Sequence, residues 1–439
     1  MKYFVTFLLL AYFVLSGYTV AEDADGVRSA AERIIFADMV GIAIALTGLV
    51  TLRRVHFPIE YFFFLSFLAV ALAGVFNAQN PQAGTVELLV LVFNMAVSLA
   101  LLNLILNNPQ ITMQDVVGLF VLGSAVLAAA GLVQFFFITN LFADRPGGGA
   151  VTGTFRNTGQ AGAYFGVALA VAIPALMSGL IKRNALNITS IALLVTALLF
   201  TFKRAALIGF AIGIGLFALR LAFVGSARDR KIAVGFIFLC LIAGPLLYYL
   251  FQYSIEHVES MRWRFEYKFR EDAIEDFSEG FFGDNLAATF RALNEHPLLG
   301  AGLGNIIGQY TTKYEIHSTY LSVLANTGIF GFGFYAVFMA VWIFHLMKSA
   351  GKASIEARFL SYFLPFLLGL GVSWMYTYHL RKREFWILFV ISLACRLIIE
   401  RKNVVQSRPL PVRRPRDVPP GAPAMEPWMT GYSDLGGRR

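Results

Sequence analysis

The chain has 439 residues, of which 57% are hydrophobic and only 14% are charged, and its formal net charge is +9. A soluble domain carries nearer a quarter charged residues, so a soluble globular enzyme is excluded; a membrane β-barrel, with its shorter alternating segments, is excluded too. The positive balance suits cytoplasmic loops and lipid headgroups, so the bilayer is an expected partner and nucleic acid is not.

Runs of about twenty apolar residues recur, each long enough to cross roughly 30 Å of hydrocarbon. Lys2 precedes an apolar stretch from Tyr3 to Val20, which ends before Glu22-Asp23. Residues 1–21 read either as a cleaved signal peptide or as a first span, and both place Glu22 outside. The second span stops at Arg53-Arg54. The third starts near Pro58 and ends before Asn77. The fourth closes on Asn107-Asn108-Pro109, where proline fits a helix break, and the fifth runs to Ile138. A Gly-rich stretch around Pro146 to Gln160 is too polar for lipid. The sixth span ends at Lys182-Arg183, the seventh at Thr201-Phe202, the eighth at Arg228–Lys231 and the ninth near Phe251.

One long polar region, 252–316, follows, and its mixed charges suggest amphipathic surface helices. The tenth span occupies about Ser318 to Leu346 and the eleventh begins after Arg358 and reaches Tyr378. A last apolar run to Ile399, about fifteen residues, is marginal as a span. The expected architecture is an all-α polytopic membrane protein of about twelve spans, with nine in 1–251, a long outer loop at 252–316 and three in 317–399. Residues 400–439 read as a disordered, basic, cytoplasmic tail. Alternation from a cytoplasmic Lys2 puts most Arg/Lys clusters inside. It leaves Lys203-Arg204 and Arg381-Lys382-Arg383 outside, against the usual bias.

Those misplaced cations need another reason. Arg204 sits in a turn between two apolar runs, at headgroup depth, where its guanidinium fork suits phosphate oxygens. Snorkelling to lipid headgroups is the plainer reading, and a specific anion site is favoured over it. His317 stands where the polar loop becomes a long apolar helix. It is a candidate base at the bilayer surface or, equally in keeping with its place, a histidine that closes the loop. His296, before Pro297, is a weaker alternative base. His56, His257, His345 and His379 are scattered without metal-ligand spacing and read as packing residues, and Cys240 and Cys395 lie in apolar runs. No metal or cofactor is expected. Gly300, Gly302 and Gly304 form G-x-G-x-G. That is a tight turn with backbone N–H groups available to a diphosphate, and it is not the dinucleotide fingerprint.

The blocks G-T-F-R-N-T-G-Q-A-G-A-Y-F, F-K-R-A-A-L-I-G-F, N-E-H-P-L-L-G-A-G-L-G-N and H-S-T-Y-L-S-V-L-A-N-T-G-I-F-G occur in that order between Val151 and Trp342. In this the chain resembles the O-antigen ligase and polysaccharide polymerase superfamily, bacterial inner-membrane glycosyltransferases of the GT-C type. The resemblance implies a glycan donor on undecaprenyl diphosphate at the periplasmic face and metal-independent transfer to an acceptor hydroxyl. It places the family's histidine on His317 and its arginine on Arg204, with Lys203 beside it. A further loop arginine is implied before a Trp, but here the stretch reads G-F-F-G-D-N-L-A-A-T-F-R. Arg291, Arg264, Arg270 and Arg262 are its candidate replacements.

The function expected is thus an inverting O-antigen ligase with lipid A-core as acceptor. The alternative is a repeat-unit polymerase extending a growing polysaccharide. The reading from another class is a lipid-linked glycan transporter, which should bury charges at mid-span and show internal repeats. The spans read as almost charge-free, and no repeat is evident.

Overall fold

The computed structural model describes residues 2–17, 36–137, 150–155, 157–223, 282–306, 309–311 and 316–407, with isolated positions between 225 and 262. The expected ninth span and most of the long loop, including Arg264 and Arg270, lie outside the described residues.

The described chain is helical: α1 (Lys2–Leu15), α2 (Phe36–Val50), α3 (Ile59–Gly74, continued by a 3-10 turn to Asn77), α4 (Pro81–Asn107), α5 (Met113–Phe137), α6 (Thr158–Ser178), α7 (Ala185–Phe200), α8 (Arg204–Phe223), α9 (Phe282–Glu295), α10 (Thr319–Ala350), α11 (Ile355–Ser373) and α12 (Arg383–Ser407). Seven of these, α3, α4, α5, α6, α8, α10 and α11, are long and apolar enough to cross a membrane; α1, α2 and α7 are apolar but shorter. Their starts are written in the sequence. Asn157, Asn184, Ser318 and Ser354 each accept a hydrogen bond from the backbone N–H three residues on. Each such cap stabilises its helix by about 1 kcal/mol. Phe62, Leu46, Leu72, Leu89 and Phe344 are exposed on the outside, as a lipid-facing surface requires.

The last apolar run, expected to be marginal as a span, is not among the seven helices long and apolar enough to cross a membrane. It continues as α12 to Ser407, past Ile399, and every residue from Glu384 to Arg396 is buried. A helix buried all round belongs in the middle of a bundle. Trp386 stands edge-on to Phe64 (4.9 Å between centroids), and Phe389 edge-on to Trp342 (5.1 Å).

The interior also carries charge, contrary to the nearly charge-free spans expected. Glu60, on the first turn of α3, is fully buried and bonds Arg396 of α12. Its Oε1 also lies 2.8 Å from His345 Nδ1 of α10.

One break organises the opposite end of α3. At Gly328, φ is 62° and ψ −167°, so α10 is two helical pieces in one. The chain ends this creates are satisfied by the glycine turn before α10. Ala301 N–H donates to Ala325 O (3.0 Å) and Gly302 N–H to Asn326 O (3.1 Å). Ile329 N–H in turn donates to Pro297 O (3.0 Å). A Cβ on Gly328 would lie 2.5 Å from the Leu298 carbonyl, and a Cβ on Gly300 2.4 Å from the Asn326 carbonyl carbon. Only glycine permits both that φ and that approach. The G-x-G-x-G turn therefore spends the Ala301 and Gly302 amides on the helix break, and those amides are not free for a diphosphate as the sequence suggested. The junction of α3 and α4 clamps the turn from the other side: Asn77 Nδ2 donates to Gly300 O (3.2 Å), and Asn80 N–H to Asn305 Oδ1 (2.7 Å).

Candidate functional site

His317 stands between two fixed neighbours. Ile316 is buried in a small apolar cluster with Ala288 and Ala292 of α9 and Ala325 of α10. Ser318 caps α10 by accepting from Leu321 N–H. His317 itself is half-buried. The next residue ties α10 to the loop after α11. Thr319 N–H donates to Trp374 O (2.9 Å), its hydroxyl donates to Thr377 O (2.7 Å), and His379 N–H donates to Thr319 Oγ1 (3.1 Å).

Arg204 opens α8 after a turn of only three residues, 201–203. Phe202 there has φ 52°, a conformation an aromatic residue rarely adopts, and is buried. Thr201 holds the turn, its hydroxyl donating to Leu198 O (2.7 Å). The side chain of Lys203 lies over the first turns of α6. A Cβ on Gly162 would stand 2.7 Å from Lys203 Cβ, so the glycine is what admits the lysine. Where Gly159 would carry a Cβ, Lys203 Nζ is 3.6 Å away, placing a cation beside the positive end of α6.

His379 completes the surroundings. It is 1% exposed, packs against the Trp374 ring at 5.6 Å, and is held well below the usual histidine range by burial and by the charges of Lys382 and Lys203. Burial, then Lys203 and Arg381, push Lys382 down to about 8, with Glu384 opposing. Lys203 is lowered by burial and by Arg204. Both lysines are largely covered by protein and each keeps a minor part of its surface exposed.

The outer basic trio, out of place by the positive-inside rule, resolves residue by residue. Arg381 bonds Glu87 (3.2 Å) and lies over the Tyr378 ring at 4.9 Å. Arg383 Nε donates to Asp38 Oδ1 (3.1 Å). Beside Arg381 opens a cleft lined by Glu87, Gly304, Ser322, Asn326 and Tyr378.

The remaining candidates sit elsewhere. His296 ends α9, its carbonyl accepting from Gly300 N–H (3.0 Å). Arg291 is exposed and its Nε turns back to Ala287 O of its own helix (3.5 Å). Arg262 is exposed. The sequence reading took His379 as a packing residue and Lys382 as one of a basic trio. Among the described residues no group of three His, Cys, Asp or Glu is placed to hold a metal ion.

The described residues are helical, and their seven long apolar helices mark a multi-pass membrane protein. Residues 189–336 match the family model of the O-antigen ligases, which are glycosyltransferase-like enzymes. The resemblance to the O-antigen ligase and polymerase superfamily holds over that segment, which contains both Arg204 and His317. No curated protein matches the chain.

Proposed function

We propose that the chain moves a glycan from undecaprenyl diphosphate to an acceptor hydroxyl at the periplasmic face of the inner membrane, as an O-antigen ligase acting on lipid A-core. The observation that carries this reading is the convergence of two helix starts within the family segment. Arg204 opens α8, His317 directly precedes α10, and the 374–382 loop lies against both, bonded to Thr319 and close enough to Lys203 to feel its charge. Arg204 grips a phosphate with its two-pronged guanidinium and stabilises charge developing on the departing diphosphate. His317 takes the proton of the acceptor hydroxyl. The new bond forms at the anomeric carbon as the bond to the diphosphate oxygen breaks, and the lipid diphosphate leaves with that electron pair. Attack opposite the leaving group inverts the anomeric centre. The scheme draws on no metal.

The test is transfer by the purified full chain from a lipid-linked donor. His317→Gln should lose about a hundred- to ten-thousand-fold in rate while still binding donor, because glutamine cannot accept the proton. His296→Asn should keep most activity, and a chelator should change nothing. Near-normal turnover by His317→Gln would make His317 structural and sink the mechanism. The acceptor is decided by a deletion strain: lipid A-core without O-chain indicates a ligase, and core bearing a single repeat unit a polymerase.

A further inference from the structure

The third glycine of the turn before α10 takes no part in the helix break. Gly304 is exposed at φ 70°, and among the described residues nothing accepts its N–H, whereas the amides of Ala301 and Gly302 are bonded to α10. Gly304 stands in the wall of the cleft beside Arg381, and α10 supplies a second polar group to that cleft. Ser322 Oγ accepts from Asn326 Nδ2 (3.1 Å), so its hydroxyl keeps its own proton to donate.

Charge in the cleft cancels. Arg381 Nη1 lies 3.2 Å from Glu87 Oε2, so one cation and one anion line it side by side. A phosphate entering here would meet the carboxylate together with the guanidinium, and gains little from the pair. A neutral ligand rich in hydroxyls suits the same lining, because the carboxylate accepts O–H bonds while the guanidinium and a backbone amide donate to hydroxyl oxygens. Leu303, Ile306 and the Tyr378 ring add apolar surface, against which the C–H face of a sugar ring packs. The cleft spans about 360 Å³ with its open mouth included. That is near the lower end of the roughly 300–1,000 Å³ of small-molecule sites, enough for one ring and too little for a chain of them. Ser322 lies about 5 Å along α10 from Thr319, at 1.5 Å per residue, so the cleft adjoins the helix start that His317 precedes.

We propose that this cleft seats one uncharged sugar ring, belonging to the donor glycan or to the acceptor, with Glu87, Arg381, Gly304 N–H and Ser322 reading its hydroxyls and Tyr378 packing on its apolar face. This rests on the glycan transfer proposed above. It makes Glu87 and Ser322 residues that choose the sugar and that take no part in holding the diphosphate.

The experiment measures transfer by the purified full chain in nanodiscs, varying lipid-linked donor at fixed lipid A-core and then the reverse, alongside binding of sugar-free undecaprenyl diphosphate. Glu87→Gln removes the charged acceptor and Ser322→Val fills part of the cleft. Each should raise KM for a sugar-bearing substrate about tenfold or more, change kcat less, and leave affinity for undecaprenyl diphosphate at the wild-type value. Ser322→Ala should raise the same KM by less. A rise for the donor assigns the ring to the transferred glycan; a rise confined to lipid A-core assigns it to the acceptor. Melting is the fold control, and if Glu87→Gln melts lower through losing its pairing with Arg381, the serine variants decide. Wild-type KM values for both substrates in Glu87→Gln and Ser322→Val overturn the seat alone. So does a matching loss of undecaprenyl diphosphate affinity, which would make the cleft a phosphate site. A wild-type chain that transfers nothing from the lipid-linked donor overturns the function proposed above and the seat with it.

Discussion

Glu60, at the start of α3, shares its buried carboxylate with Arg396 and His345. Beyond the far end of α3, about 20 Å along the helix at 1.5 Å per residue, Lys203, His379 and Lys382 feel one another's charge, and Glu384 is the acid acting on Lys382. The first cluster draws its groups from three helices, the second from two loops. In the first, opposite charges meet on Glu60 Oε1 while Glu60 Oε2 stays without a hydrogen bond; in the second, like charges crowd and neither His379 ring nitrogen is bonded. A matched buried cluster holds helices in register, whereas an unmatched one costs stability.

Substitutions should separate the two kinds. At the matched cluster, Arg396→Met leaves buried Glu60 with His345 alone, and should cost about 3–5 kcal/mol of stability. Melting of purified protein should show it, and Arg396→Met with Glu60→Gln together should recover part of the loss. A single variant that melts like wild type would show that this cluster holds nothing in place.

At the unmatched end the effect should fall on rate. Arg204→Ala should lower transfer about a hundred- to a thousand-fold with unchanged melting. Arg204→Lys should fall between, since it keeps the charge but loses the fork. Full activity in Arg204→Ala would leave only headgroup snorkelling for that residue.

A third variant probes the joint between site and scaffold. Gly328→Ala forces a side chain into φ 62° and against the Leu298 carbonyl. It should destabilise by about 1–3 kcal/mol or more, seen as a lower melting midpoint together with reduced transfer.

The smallest effect is in pH. Lys382 titrates at about 8 in the fold against 10.5 as its ordinary value. Between those values the unfolded chain binds more protons, so the apo protein should gain stability as pH rises from about 8 to about 10.5. The penalty is fully present below about 8. Lys382→Met should flatten that slope, and an unchanged slope would place the titration elsewhere.

The helical membrane class was legible because composition leaves no other option; Arg204 and His317 were singled out by their places beside apolar runs and by the family resemblance. The length of α12 was not. Its apolar run ends in sequence at Ile399, before Glu400-Arg401-Lys402, and the burial of Arg396 inside it rests on the pairing with Glu60, hundreds of residues earlier. The helix break was equally hidden, because A-N-T-G-I-F-G is apolar enough to pass as a continuous span. Glycine's positive φ and the docking of residues 297–302 are tertiary facts. The outer basic trio was noticed in sequence but not divided, since which of three adjacent cations is left over depends on where Glu87 and Asp38 stand.

The break at Gly328 also bears on how such a chain is edited. Covalently, residues 319–327 belong with the rest of α10. By hydrogen bonding, their last carbonyls belong to residues 301 and 302. The placement of His317 is therefore governed by two stretches that are distant in the alignment of one helix yet mechanically a single part. Swapping the glycine turn from a relative without residues 317–330, or the reverse, would split that part in two. A working chimera must carry the turn, the histidine and the break as one graft, with the α3–α4 junction that receives them.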